Sequence, residues 1–294
     1  MSSELSSLGR TLAFVKMVRF PNCIMMGVAV IVGEFIALGS SLLLIPSLLG
    51  FITAFTLTGG SMVLNDFFDE EVDAVNEPRR PIPRGAVKPR AAVYFTGALA
   101  AVGLASAVAT GIYVSSPYVV ALAVIAVTLA FYYNAVGKRW GFAGNLMVSG
   151  TVAVPFIYGA FIVGVIPTLL LATFTLMAFL ANTGREIIKG IADVEGDRVR
   201  EIQTLAIDQG SKVAAYCASV FYGLAVVLSM IPPLLSSASL FYIPIVAVAD
   251  IGFIYTAFST VRNASAENAR RMKKFSLLWM LIGLVAFIIG ASPL

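Results

Sequence analysis

Residues 46–73 read PSLLGFITAFTLTGGSMVLNDFFDEEVD. From Pro46 to Leu64 there is no ionisable side chain, a run close to the ~20 residues a helix needs to cross a bilayer. The next residues place Asn65, Asp66, Asp69, Glu70, Glu71 and Asp73 in quick succession. At ~100° per residue, a helix continued to Asp73 puts Asn65, Asp66, Asp69 and Asp73 within about a quarter of its circumference, while Glu71 points elsewhere. Four oxygen donors on one stripe suit Mg²⁺, a hard cation that favours carboxylate, water and phosphate ligands. An acid at the bilayer centre costs ~2.5–3.5 kcal/mol. The stripe therefore implies a water-filled cavity, a bound cation or a position at the interface. A solvated helix end would explain the charge but not the four-residue spacing.

The same hydropathy reading, carried outward, gives nine apolar spans: 20–40, 46–66, 91–113, 117–137, 143–164, 167–189, 212–232, 240–258 and 275–291. The expected fold is an all-α polytopic membrane protein, nine transmembrane helices in one bundle. Composition agrees. Of 294 residues 59% are hydrophobic and 12% charged, against roughly 45–50% and 25% in soluble domains. All 20 Lys and Arg fall before the first span, in alternate connections after it or at the span ends that border those connections. The connections around Ser40, Ser115, Gly164 and Ser236 have none. That bias predicts a cytoplasmic N-terminus. It also explains the net charge of +4 as topology rather than a nucleic-acid footprint. Histidine is absent and only Cys23 and Cys217 occur, which excludes His-based triads, imidazole zinc sites and CxxC motifs.

The acids are equally uneven. Six of 16 lie between Asp66 and Glu77 and five between Glu186 and Glu201, at the ends of spans two and six. In the second group, helical spacing puts Asn182, Glu186, Lys189, Asp193 and Asp197 on one narrow face. A Lys189–Asp193 ion pair at i,i+4 is the plain structural alternative. Asn65-x3-Asp69-x3-Asp73 followed by Gly85, and Asp193-x3-Asp197 followed by Gly210, form a weak repeat four spans apart. A duplicated four-helix unit plus a ninth helix, all in one domain, would make the two clusters face each other; chance alignment is the alternative. Carboxylates beside fixed cations suggest a highly anionic ligand, a diphosphate held through Mg²⁺. The available cations are Arg79, Arg80, Arg84, Lys138, Arg139, Arg185 and Lys189, with Tyr132 and Tyr133 as hydrogen-bond donors.

Asn65-Asp-x-x-Asp69-x-x-x-Asp73, the trailing Arg80-Pro81-Ile82 and Asp193-x-x-x-Asp197 together resemble the UbiA superfamily of intramembrane prenyltransferases. The resemblance covers almost the whole chain. It implies that Asn65, Asp69, Asp73, Asp193 and Asp197, with Asp66 beside them, hold Mg²⁺ and an isoprenyl diphosphate. Asp69, Asp73, Asp193 and Asp197 become the expected catalytic residues, and Arg80, Arg84, Lys138, Tyr133 and Lys189 the diphosphate contacts. The stretch Arg185-Glu186-Ile187-x-Lys189 before Asp193-Val194-Glu195-Gly196-Asp197 resembles the archaeal ether-lipid branch of that superfamily. This implies transfer of geranylgeranyl to geranylgeranylglyceryl phosphate, whose phosphate Arg79, Arg80 and Arg84 would bind.

The mechanism so implied is metal-assisted ionisation of an allylic diphosphate inside an apolar bundle that excludes water. The site would open at the cytoplasmic side of the cell membrane, its ligands an isoprenyl diphosphate and a lipid-like acceptor. No protein partner is inferable. Aromatic-acceptor prenyl transfer and secondary transport are the competing readings; transporter acids lie nearer the midplane than these. Glu34 and Asp250 sit within spans one and eight. For Glu34 the expectation is helix–helix hydrogen bonding; for Asp250 the sequence offers no choice. Residues 1–19 read either as an amphipathic start resting on the membrane surface or as a plain cytoplasmic lead-in to the first span.

Overall fold

The computed structural model describes residues 7–39, 41–199, 202–235 and 237–291. Among these, every regular element is helical, and nine helices have 18 or more residues: α1 Phe20–Ala37, α2 Leu44–Phe68, α3 Pro89–Tyr113, α4 Pro117–Ala135, α5 Phe142–Phe161, α6 Leu169–Ala192, α7 Ser211–Ser229, α8 Tyr242–Arg262 and α9 Ala266–Ala291. Eight of them are long and apolar enough to cross a membrane, α7 being prolonged to Leu234 for this purpose. The exception is α6, whose second half carries Asn182, Arg185, Glu186 and Lys189. Its position explains the polarity. It packs on α5, α7 and α9, so few of its residues need to satisfy lipid. Instead Asn182 donates to Ser149 Oγ at 3.2 Å.

The expected connections at Ser40 and Ser236 lie outside the described residues, as does the start of the lead-in. Helices overrun the hydropathy boundaries at charged ends: α9 begins at Ala266 rather than 275, and α8 runs to Arg262. Backbone hydrogen bonding continues through charged residues once they reach the interface, so apolarity marks the buried part of a helix and not its length.

Neighbours in sequence are neighbours in space, from α1 on α2 through α8 on α9, and α1 also contacts α5 and α9. The α1–α5 crossing is backbone-close. A Cβ added to Gly33 would lie 2.0 Å from the Phe156 carbonyl oxygen, and one on Gly159 2.2 Å from that of Val30. Small residues at such crossings let membrane helices gain close packing. Glu34, wholly buried beside Gly33, accepts from the Leu43 backbone N–H at 2.6 Å and from Ser47 Oγ at 2.7 Å. It thus bonds α1 to the start of α2, as expected of it.

Candidate active site

Both acidic clusters sit where a long helix stops and a short one begins. α2 ends at Phe68, and Asp69 (φ −92°, ψ 6°) leads into the helix Glu70–Asn76. α6 ends at Ala192, and Asp193 (φ −113°, ψ 11°) leads into Val194–Val199. The hydrogen-bond ladder survives each joint: Asp69 N–H donates to the Asn65 carbonyl and Asp73 N–H to that of Asp69, while Asp193 and Asp197 do the same to Lys189 and Asp193. The four-residue spacing read as helical is therefore helical in hydrogen bonding. Gly85 and Gly210 both have positive φ, 72° and 88°, a backbone region that favours glycine, just before α3 and α7.

In the first cluster Asp66, Asp69 and Asp73 are all buried. Each meets a base. Arg80 Nη1 donates to Asp73 Oδ2 at 2.6 Å and to Asp66 Oδ1 at 3.3 Å, and Lys138 Nζ lies 2.7 and 2.5 Å from the two Asp69 oxygens. Asn65 lies between Asn134 and this pair. With its amide nitrogen facing Asp69 it donates to Oδ2 and accepts from Lys138, both at 3.3 Å. Burial pushes the Asp73 carboxyl above its ordinary value, and the Arg80 guanidinium opposes that shift. Pro81 and Ile82 hold the arginine loop in place: the Pro81 carbonyl accepts from both Ala86 and Val87 N–H groups, and Ile82 is buried among Met17, Val63 and Ala92.

The second cluster is arranged differently. Glu186 is buried between Arg185 Nη1 at 2.7 Å and Lys189 Nζ at 3.0 Å. Asp193 and Asp197 are partly exposed. Where the i,i+4 spacing offers Asp193 a partner in Lys189, the structure shows Lys189 on Glu186 and Lys273 of α9 on Asp193, at 3.3 and 3.4 Å.

Tyr133 links the clusters. Its hydroxyl lies within electrostatic reach of Asp69 in the first and of Glu186, Lys189 and Asp197 in the second. Tyr132 instead is exposed, edge-on to Trp140 with ring centroids 5.5 Å apart. The turn that follows also reaches the second cluster's loop, since a Cβ on Gly141 would lie 2.0 Å from the Gln203 carbonyl oxygen. Asn65, Asp66, Asp69, Asp73, Arg80, Lys138, Tyr133, Lys189, Asp193 and Asp197 thus border one region. Arg79 and Arg84 do not turn inward; both are exposed.

Two residues read only as topology charges belong to this region. Arg19 pairs with Asp66 at 2.6 Å. It stands in the left-handed conformation (φ 54°, ψ 59°) between the helix Ser7–Val18 and α1, a strained geometry for a non-glycine residue. Lys273 is the other. Their partners lie 47 and 80 residues away, so no local spacing could have shown them.

Among the described residues no three acids converge into a metal site of their own. The donors nevertheless fit Mg²⁺, which is commonly held by one or two carboxylates together with substrate phosphates rather than by an all-protein cage.

The profile of the UbiA prenyltransferase family matches residues 26–287. A digeranylgeranylglyceryl phosphate synthase of Thermococcus kodakarensis is 35% identical over 279 residues, 95% of this chain and 98% of that one. A solved structure concerned with digeranylgeranylglyceryl phosphate synthase in membranes superposes with a TM-score of 0.78 at 30% identity, covering 96% of this chain and 98% of the other. A UbiA homolog from Archaeoglobus fulgidus bound to GPP and Mg²⁺ shares the fold, with a TM-score of 0.66 at 16% identity over 94% of this chain and 99% of that one. With eight helices able to cross a membrane and a profile match over most of its length, the chain is a multi-pass membrane protein and belongs to the UbiA prenyltransferase family.

Proposed function

We propose that the protein transfers a geranylgeranyl group from its diphosphate to the free hydroxyl of geranylgeranylglyceryl phosphate, a step of archaeal ether-lipid synthesis. The observation that carries this reading is the pair of oxygen-rich clusters, each paired with bases, bordering one region around Tyr133. The name and coverage of the Thermococcus relative support the choice of acceptor.

Asn65, Asp66, Asp69 and Asp73 on one side and Asp193 and Asp197 on the other would hold the metal. Mg²⁺ bound there supplies positive charge for the departing pyrophosphate. Arg80, Lys138, Tyr133 and Lys189 orient the diphosphate, with Arg84 on the exposed rim of the arginine loop. Their preorganised charges act in a partly buried site, where they count for more than in water. The C1–oxygen bond to diphosphate breaks with its electron pair going to the departing pyrophosphate, and the glycerol hydroxyl attacks C1 to form an ether, its proton passing to the released pyrophosphate. An apolar cavity between α1, α5, α6, α7, α8 and α9 is lined by Met25, Phe156, Met177 and Phe287. It keeps apolar chains away from water that would quench an allylic cation. Asp250 stands in its wall and accepts from Ser229 Oγ at 2.7 Å.

α6 serves as the ninth span. At ~1.5 Å per residue its 24 residues reach ~36 Å, longer than the ~30 Å hydrocarbon layer. Both clusters open to the cytoplasmic side of the cell membrane, as the one-sided Lys/Arg distribution supports. The matching joints at Asp69 and Asp193, each followed by a positive-φ glycine, support a four-plus-four helix duplication with α9 added in one domain.

Purified protein given Mg²⁺, labelled geranylgeranyl diphosphate and geranylgeranylglyceryl phosphate should yield the doubly prenylated ether. Turnover that survives EDTA, or both Asp69→Ala and Asp193→Ala, would overturn the reading.

A further inference from the structure

Four basic residues open α9: Arg270, Arg271, Lys273 and Lys274. Three are exposed, and only Lys273 turns inward. Its helix face is continuous with the cavity, because Met280, Gly283 and Leu284 line that cavity and Met280 stands seven residues, two turns, from Lys273. α6 repeats the pattern. Met177, Ala178 and Ala181 line the cavity, and Arg185 and Lys189 continue their face by one and two turns. Two packed helices therefore each run from apolar wall into cations at the same end. From Lys273 to Phe287 is about 21 Å of helix rise, a length of wall along which the chain of an amphiphile can lie with its head at the bases.

The charge balance differs from that of the first cluster. There Asp66, Asp69 and Asp73 meet Arg19, Arg80 and Lys138, three against three. Here Arg185, Lys189 and Lys273 all act on Glu186, and Lys273 also meets Asp193, so three bases converge on one buried carboxylate. In addition, Arg185 Nε is buried without a hydrogen-bond partner, a costly state for a charged donor. The Lys273–Asp193 contact is long and partly exposed, so it commits little of the ammonium. Three bases gathered on one buried carboxylate, one with an unsatisfied guanidinium donor and one only loosely paired, on helix faces that continue the wall of an apolar cavity, fit a phosphate carried on a lipid.

We infer that Arg185 and Lys273 bind the phosphate monoester of the acceptor, apart from the carboxylates that take the donor's diphosphate. This assignment rests on the reaction proposed above. It moves acceptor recognition from Arg79 and Arg84, which are exposed, and Arg80, which is engaged by two carboxylates, to the junction of α6 and α9. The guanidinium edge offers parallel donors that match phosphate oxygens, and the ammonium adds a point charge.

The test compares geranylgeranylglyceryl phosphate with geranylgeranylglycerol, which lacks the phosphate, as acceptors for the full-length protein in lipid. Lys273→Gln should lower the kcat/KM preference for the phosphorylated acceptor by about tenfold or more, the loss of one charge-assisted hydrogen bond. Lys273→Arg should retain that preference, and any rise in donor KM from loosening Asp193 should be the same with either acceptor. An unchanged preference in Lys273→Gln would overturn the assignment. So would a rise in donor KM without a change in preference, which would place these bases on the diphosphate. A ratio between two acceptors is insensitive to how much of each variant folds. If the native protein prenylates neither acceptor, the failure belongs to the proposed reaction and not to the phosphate site.

Discussion

Arg80 shows how much one side chain can hold. A single guanidinium nitrogen reaches Asp73 at 2.6 Å and Asp66 at 3.3 Å, joining the arginine loop to the end of α2. Arg80→Ala would leave Asp73, 1% exposed, buried with like-charged neighbours, and removing one partner of such a pair costs about 3–5 kcal/mol. Arg80 holds the Asp73 carboxyl down against burial and the charge of Asp69. Its loss therefore raises that carboxyl further, and the acid limb of the pH–rate profile should move to higher pH in Arg80→Ala; a limb that moves down or stays would contradict the pairing. Asp69→Ala removes a carboxylate proposed to hold metal, and kcat should fall by about 10²–10³-fold with a raised Mg²⁺ requirement, read from metal titrations of turnover. The acids of this site were legible because Asn65, Asp69 and Asp73 recur at helical spacing. Arg19 and Lys273 were not, because nothing in the residues around them differs from an ordinary interfacial anchor. Only the packing of the Ser7–Val18 helix, α2, α6 and α9 makes them partners of Asp66 and Asp193.

Between elements, the narrowest tolerance is at the α1–α5 crossing. Gly159→Leu would force a side chain into the backbone of Val30 and Glu34, so the helices must part. A loss of about 1–3 kcal/mol is expected for such overpacking, visible as a lower Tm in detergent. Glu34 makes a different prediction. It accepts two hydrogen bonds in a fully buried position, so Glu34→Ala leaves two donors unpaired at about 1–3 kcal/mol each. Activity per folded molecule should remain near native, since Glu34 touches neither acid cluster. Helix existence was legible from apolar runs, but helix ends were not. Hydropathy stops at the first charges, whereas α8 and α9 continue through Arg262 and Lys273. α6 was legible as a helix by its apolar first half; its second half is polar where other helices pack on it.

For the whole molecule the Lys/Arg asymmetry makes a directional prediction. Single cysteines placed at Ser115 and Gly164 in a Cys-free background should react with an impermeant thiol reagent from outside intact cells. Cysteines at Lys88 and Asn263 should react only after the cells are opened. The reverse pattern would invert the topology and move the site to the other face.

The even match of acids and bases in the first cluster also bears on how the protein is made. Asp66, Asp69 and Asp73 are each already neutralised by Arg19, Arg80 or Lys138, so the nascent chain has no need of an ion to gather them. Biogenesis can be completed before metallation, unlike a domain whose ligands repel one another until a cation arrives. The chelated protein should stay folded, its Tm lowered only by the lost Mg²⁺ binding, while turning over no substrate, and should regain full activity on Mg²⁺ addition without a refolding lag.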